Sequence, residues 1–273
     1  MSLRLGHIDY LNCVPFFHFL RDCGFDGEIV RGVPSALNAM LEAGQIDVSP
    51  SSSFEYGRNA GSYLLLPGQS ISAVGAVRSV LLFSPCSFEE AGQAPIFITG
   101  ESATSINLLR VLLMEFHGRD RVEFVRPEED LEAQAARGQS VLAIGDRAMH
   151  MAARLPSGIR VHDLGSLWMQ ATGLPFVFAL WIVSREAALN LRPELLRLQQ
   201  AVRRSRQFAM ERLESIVDSY LTQDWLSRGS LLDYWRGMSY DLTDEHLRGL
   251  RLFFRLCARH GLLEREPEIR FFH

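Results

Sequence analysis

The chain has 273 residues, 47% of them hydrophobic and 22% charged, with a formal net charge of −4. This is the composition of a globular protein large enough for one big or two modest domains, and it excludes the basic field that a nucleic-acid surface needs. All 28 basic residues are arginine, which also excludes Schiff-base chemistry, a pyridoxal-phosphate lysine and a P-loop lysine.

No apolar run reaches the ~18 residues of a membrane span. The start Met1-Ser2 leads almost at once into a strand, without a charged and apolar leader, so a cytoplasmic protein with no membrane partner is expected. Cys13, Cys23, Cys86 and Cys257 are scattered, with no C-x-x-C pair, and read as reduced thiols. The dispersed histidines give no metal-ligand spacing, and no metal or organic cofactor is expected.

The first strand is Leu3 to Ile8, ending at Asn12 before an amphipathic run through Val14, Phe16, Phe17 and Leu20. Glu28 to Val33 reads as a strand. Pro34 to Gly44 reads as a helix, with Pro34 suited to its start and Gly44 to its end. Ile46 to Val48 runs into the cluster Ser49, Ser51, Ser52 and Ser53, followed by a helix from Phe54 and a strand Tyr63 to Pro67. This alternation predicts a mainly parallel sheet covered by helices. The run Ile71 to Ser84 is long for one strand. It is either an extended crossover between two lobes or two strands bent at Gly75.

A second alternation follows. Strands are predicted at 95–100, 122–125 and 141–144, with helices at 102–117, 128–137 and 147–154 and a short extended piece at 161–164. A second long apolar run, Phe176 to Ser184, would carry the chain back to the first lobe. From Pro193 the pattern is helical, and a last helix opens near Thr243 and stops at Gly261. Two lobes joined by two crossover strands make a hinge over a cleft, where ligands gather.

The strongest generic signal is Gly100-Glu101-Ser102-Ala103-Thr104-Ser105, a strand feeding small hydroxyl residues to a helix N-terminus. Free N–H groups and the helix dipole attract an anion there, and without a lysine a carboxylate fits better than a triphosphate. Ser102 or Thr104 is otherwise a plain cap. Asn12, at a strand end, either caps the next helix or hydrogen-bonds a ligand without bringing charge. Ser51 belongs to the serine rim of the first lobe. Asp146 ends a strand and either contacts the ligand or caps the next helix. Ser79 faces the ligand if the crossover lines the cleft, and otherwise points outward. Arg78 would point opposite to Ser79 on an alternating strand. His7 lies near Asp9 on the first strand and is either packed or catalytic. Neither a G-x-S-x-G elbow nor an H-E-x-x-H motif is present.

An ordered set of segments resembles the chorismate dehydratases of the futalosine route to menaquinone. They are Asp9-Tyr10-Leu11-Asn12, Val33-Pro34-Ser35-Ala36-Leu37-Asn38, Ile46-Asp47-Val48-Ser49-Pro50, Leu64-Leu65-Leu66-Pro67 and Ala76-Val77-Arg78-Ser79-Val80. Beyond these come Ser102-Ala103-Thr104-Ser105, Ile144-Gly145-Asp146, Val161-His162-Asp163-Leu164-Gly165 and Thr172-Gly173-Leu174-Pro175-Phe176-Val177-Phe178-Ala179. Asp9 stands where the family usually has Ser, and Ala76 where it usually has Pro.

The resemblance implies a two-lobed α/β fold like the type II periplasmic binding proteins, with two Rossmann-like lobes. Residues 1–84 plus 185–273 would form lobe 1, with a helical C-terminal segment packed on it, and 85–184 would form lobe 2, the ligand cleft lying between them. It implies a carbon–oxygen lyase that dehydrates chorismate to 3-[(1-carboxyvinyl)oxy]benzoate. Asn12 and Ser79 would be catalytic, and Ser51, Ser102, Thr104, Ser105 and Asp146 would bind substrate. No matched residue is an obvious base, which points to the enolpyruvyl carboxylate of chorismate taking the C3 proton itself. The alternatives are the 1,4-dihydroxy-6-naphthoate-forming enzyme of the same route and a non-catalytic small-anion-binding protein.

Overall fold

The computed structural model describes residues 2–99, 102–119 and 121–273. In chain order, β1 (Arg4–Ile8) leads through a 3₁₀ turn to α1 (Val14–Phe17). Next come β2 (Glu28–Gly32), α2 (Pro34–Glu42), β3 (Val48–Ser52), α3 (Ser53–Arg58) and β4 (Tyr63–Ala73). The following stretch holds β5 (Val80–Ser84), β6 (Ile96–Ile98), α4 (Ala103–Val111), β7 (Phe124–Val125) and α5 (Leu131–Ala136). Then come β8 (Ser140–Ile144), α6 (Gly145–Ala153), β9 (Arg160–Asp163), α7 (Leu164–Thr172) and β10 (Phe176–Ser184). The chain closes with α8 (Arg185–Asn190), α9 (Arg192–Glu211), α10 (Leu213–Ile216), α11 (Arg228–Gly237), β11 (Met238–Asp241) and α12 (Asp244–Arg259).

The chain divides into two compact units. One comprises Met1–Ile71, Ala179–Thr243 and Pro267–His273, the other Ser72–Phe178 and Asp244–Glu266. The first is built on a six-stranded sheet ordered β11-β4-β10-β3-β1-β2. β1 runs parallel to β2 and β3, and β10 runs antiparallel to β3. Gly6 allows the close approach of β1 to β3, because a Cβ there would meet Ser49 Oγ at 2.5 Å. Asp47, buried just before β3, accepts from Arg4 N, Nε and Nη2 at 2.7, 3.0 and 2.7 Å and so pins the entry of β1. Phe16 of α1 packs edge-on against Trp181 and Tyr240, both at 5.3 Å.

The second unit carries a five-stranded sheet ordered β7-β6-β8-β5-β9. β6 is parallel to β7 and β8, whereas β5 is antiparallel to β8 and β9. Leu81, Phe83, Val141 and Ala143 meet Leu131, Ala135, Ala148 and Met151 in its core. Both sheets are therefore mixed rather than mainly parallel. β5 is antiparallel to both of its neighbours, so no βαβ crossover sets its direction.

Of the two expectations for the run 71–84, the structure shows the second: β4 and β5 are separate strands, and the chain between them bends at Gly75 (φ +97°). The short extended piece expected at 161–164 is β9, but α7 follows it in a stretch to which the sequence assigned no element, and β11 interrupts the helical tail. The tail is also divided: α8–α11 belong to the first unit, but α12 belongs to the second. Gly249 of α12 lies against the Pro175 carbonyl, and Phe253 packs on Phe176 at 5.0 Å and Trp168 at 6.2 Å. Those aromatic rings hold α12 there by burying its apolar stripe. The unit boundaries fall inside β4 and β10, at 71/72 and 178/179, where the expected ones lay at 84/85 and 184/185.

Candidate functional site

In the first unit, the carboxyl ends of the parallel strands β1, β2 and β3 lie beside one another and lead into α1, α2 and α3. This is the edge of an α/β sheet where ligands gather. Asn12 sits in the 3₁₀ turn Leu11–Cys13, held by Trp235 Nε1 donating to the Leu11 carbonyl at 2.7 Å. Asn12 caps neither that turn nor α1, whose N-cap positions are Tyr10 and Cys13. Its Oδ1 is buried and has no hydrogen-bond partner. Ser51 is fully buried in β3 rather than lying on a loop rim, and its Oγ is equally unpartnered. Leaving such an atom unsatisfied costs about 1–3 kcal/mol, which makes both residues candidates for contact with another molecule.

His7 lies one residue before the end of β1, its ring stacked on Phe17 at 3.8 Å; Phe17 in turn stacks on Trp181 at 5.8 Å. His7 Nδ1 is buried and lies 3.6 Å from Asp9 Oδ1, beyond hydrogen-bond reach. Asp9 is ion-paired with Arg31. Burial lowers the His7 pKa to about 4; Asp9 opposes that shift and Arg31 adds to it. The imidazole is therefore neutral at neutral pH.

In the second unit, one edge of the sheet gathers the ends of β6, β8 and β9 and the start of β5, with the N-termini of α4, α6 and α7 following the three strand ends. Ser79 precedes β5 and is 1% exposed, so it is not an outward strand residue. Its carbonyl accepts from Gly145 N at 2.7 Å, which places it beside the start of α6. Asp146 stands half-buried in the first turn of α6 and is not that helix's cap. Ser102 does cap α4: its Oγ accepts from Ser105 N at 3.3 Å and lies 3.1 Å from Ser105 Oγ. Thr104 and Ser105 are buried in that first turn. Gly100 and Glu101 of the same motif lie outside the described residues.

Two further residues stand at this edge: Arg78, which the assumed alternation turned away from Ser79, and Asp163, which the sequence did not single out. Arg78 has φ 61°, the one positive φ outside glycine among the described residues. With no strand from 74 to 79, the alternation that pointed it away from Ser79 does not exist. Its side chain is exposed and has no ion pair among the described residues. Asp163, at the end of β9, accepts from Val77 N, Arg78 N and Ser166 N. Among the described residues no group of three or more His, Cys, Asp or Glu is placed to hold a metal ion.

A profile of the family described as menaquinone biosynthesis matches residues 3–259. The chain belongs to that family. A chorismate dehydratase of Thermus thermophilus is 36% identical over 263 residues, covering 91% of this chain and 93% of that protein. A crystal structure from Archaeoglobus fulgidus superimposes with a TM-score of 0.76 over 96% of this chain and 98% of that one, at 17% identity. The alkanesulfonate-binding protein of Xanthomonas axonopodis pv. citri gives 0.70 over 97% and 95%, at 13% identity. The fold is thus that of the periplasmic binding proteins, carried by an enzyme family, and no described helix is long and apolar enough to cross a membrane.

Proposed function

We propose that this chain dehydrates chorismate to 3-[(1-carboxyvinyl)oxy]benzoate and water in menaquinone biosynthesis. The observation that carries the reading is the 36% identity to a named chorismate dehydratase along nearly the full length of both chains. Loss of the C3 proton and the C4 hydroxyl aromatises the ring, so the chemistry has a strong driving force of its own. The protein's work is to hold two carboxylates, fix the ring and exclude water.

Asn12, with an unpartnered buried carbonyl oxygen, orients the substrate through its C4 hydroxyl. Ser51 contributes a second free hydroxyl from the same unit. In the other unit Ser79 binds a carboxylate or assists proton movement. The first turn of α4, with Ser102, Thr104 and Ser105, anchors a carboxylate on its N–H groups. Asp146 carries negative charge and suits a substrate hydroxyl better than a carboxylate.

The base is the enolpyruvyl carboxylate of chorismate. His7 supports this: burial brings its pKa to about 4, so it is no stronger a base than a carboxylate. The four free cysteines suit a reducing compartment, and we place the protein in the cytoplasm.

The test is to mix chelator-treated protein with chorismate and follow the product by chromatography and mass. Product formation that survives chelation and is lost in Asn12→Ala supports the reading. A folded protein that leaves chorismate unchanged overturns it. A chorismate analogue lacking the enolpyruvyl carboxylate should bind but not turn over, and normal turnover would rule out substrate assistance.

A further inference from the structure

Ser79 lies at the end of a segment that has no regular structure of its own and one strained residue. Arg78 holds φ 61°, a conformation that an L side chain adopts at a cost of roughly 1–2 kcal/mol. Such a residue persists only where its surroundings over-determine it, and strain of this kind clusters at functional sites. The surroundings are specific. Val77 N donates to Asp163 Oδ1 at 3.1 Å and Arg78 N to Asp163 Oδ2 at 2.7 Å. The same Oδ1 accepts from Ser166 N at 3.0 Å and caps α7. Gly165, the second residue of α7, lets the helix press on the segment, because a Cβ there would meet the Gly75 carbonyl at 2.5 Å and Val77 N at 3.1 Å. On the far side, Gly145 N reaches the Ser79 carbonyl at 2.7 Å.

We propose that Asp163 is a positioning residue for Ser79: its carboxylate latches two consecutive amides, holds Arg78 left-handed, and thereby fixes where the Ser79 hydroxyl stands. This rests on the reading of Ser79 as a substrate-binding group. The carboxylate is shared between two tasks, a helix cap through Oδ1 and the latch on Arg78 through Oδ2. The two tasks can be separated. An asparagine caps a helix as well as an aspartate does, but its side chain offers one oxygen instead of two. Asp163→Asn therefore keeps the bonds to Ser166 N and Val77 N and presents an NH₂ to the Arg78 amide, donor against donor.

The experiment measures the dissociation constant for 3-[(1-carboxyvinyl)oxy]benzoate and the hydrogen exchange of the 77–79 amides in the wild type, Asp163→Asn, Ser79→Ala and the double variant. Product affinity can be read even in a variant with no turnover. The expected result is that Asp163→Asn folds, exchanges the Arg78 amide faster and binds product about 10- to 100-fold more weakly, as misplacement by an ångström or so allows. In the Ser79→Ala background the same change should weaken binding less than threefold, because there is no hydroxyl left to misplace. Arg78→Gly, which adopts φ 61° without strain, should recover part of the affinity lost in Asp163→Asn. Equal losses in both backgrounds would overturn the positioning role. Unchanged exchange in Asp163→Asn would overturn the latch. A Ser79→Ala variant that binds like the wild type overturns the assignment of Ser79 instead, and faster exchange would then still show the latch itself.

Discussion

At the scale of single residues, the first unit carries polar atoms that its own fold leaves unsatisfied. Asn12 Oδ1 and Ser51 Oγ are buried without partners. On the role proposed for Asn12, Asn12→Ala should lower kcat/KM about 100-fold or more, the loss seen when a single hydrogen bond to the transition state is deleted. Its melting temperature should stay level or rise slightly, since a desolvated amide is removed; steady-state kinetics and a thermal scan check the two halves. His7 gives a prediction of a different kind. Its pKa is about 4 folded and 6.5 unfolded, so below pH 6.5 the unfolded chain takes up a proton that the folded one refuses. Stability from this group is full above pH 6.5 and is lost as pH falls towards 4. His7→Gln should flatten that part of the stability–pH curve relative to the wild type; parallel curves for the two proteins would show that His7 does not stay neutral on folding.

At the scale of elements, what was legible in the sequence follows from what each signal encodes. Period-2 and period-3.6 patterns located β1, α2, β8, β10 and α12, because each buries one face or both. α7 was not seen: Leu164-Gly165-Ser166-Leu167 continues the extended piece before it, and the start of the helix is set by the Asp163 cap, a three-dimensional fact. β11 was not seen because it has only four residues and takes its identity from pairing at the sheet edge. The alternation assumed through Arg78 and Ser79 failed because Gly75 and Arg78 leave the extended region. Of the proposed site residues, Asn12 and Ser51 could be told from ordinary caps and loops only once their partners were known. The place of α12 also depends on packing that no local pattern reports. Its Gly249 lies against the Pro175 carbonyl, where a Cβ has no room and the obstacle is backbone. Gly249→Ala should therefore destabilise by about 1–3 kcal/mol, although alanine is the better helix former. A lower denaturation midpoint in urea with an unchanged slope would bear this out, and a gain in stability would show that α12 is free to shift.

At the scale of the whole molecule, the candidate groups are drawn from both compact units: Asn12 and Ser51 from one, Ser79, Ser102, Thr104, Ser105 and Asp146 from the other. A binding-protein fold put to catalysis needs few reactive groups when the substrate brings its own base and its product is aromatic. Much of the protein's contribution is then binding free energy, and binding free energy adds directly to folding stability. Product at one hundred times its dissociation constant should stabilise the chain by about 2.7 kcal/mol. For a chain of this size that is a rise of roughly 5–10 °C in melting temperature. The shift should persist after chelator treatment. If both units contribute contacts, Ser51→Ala in one and Thr104→Val in the other should each reduce the shift at fixed product concentration. Their effects should combine in the double variant, because each removes a separate part of the same affinity. A shift abolished by one substitution and untouched by the other would assign the ligand to a single unit, and the remaining groups would then owe their burial to folding alone.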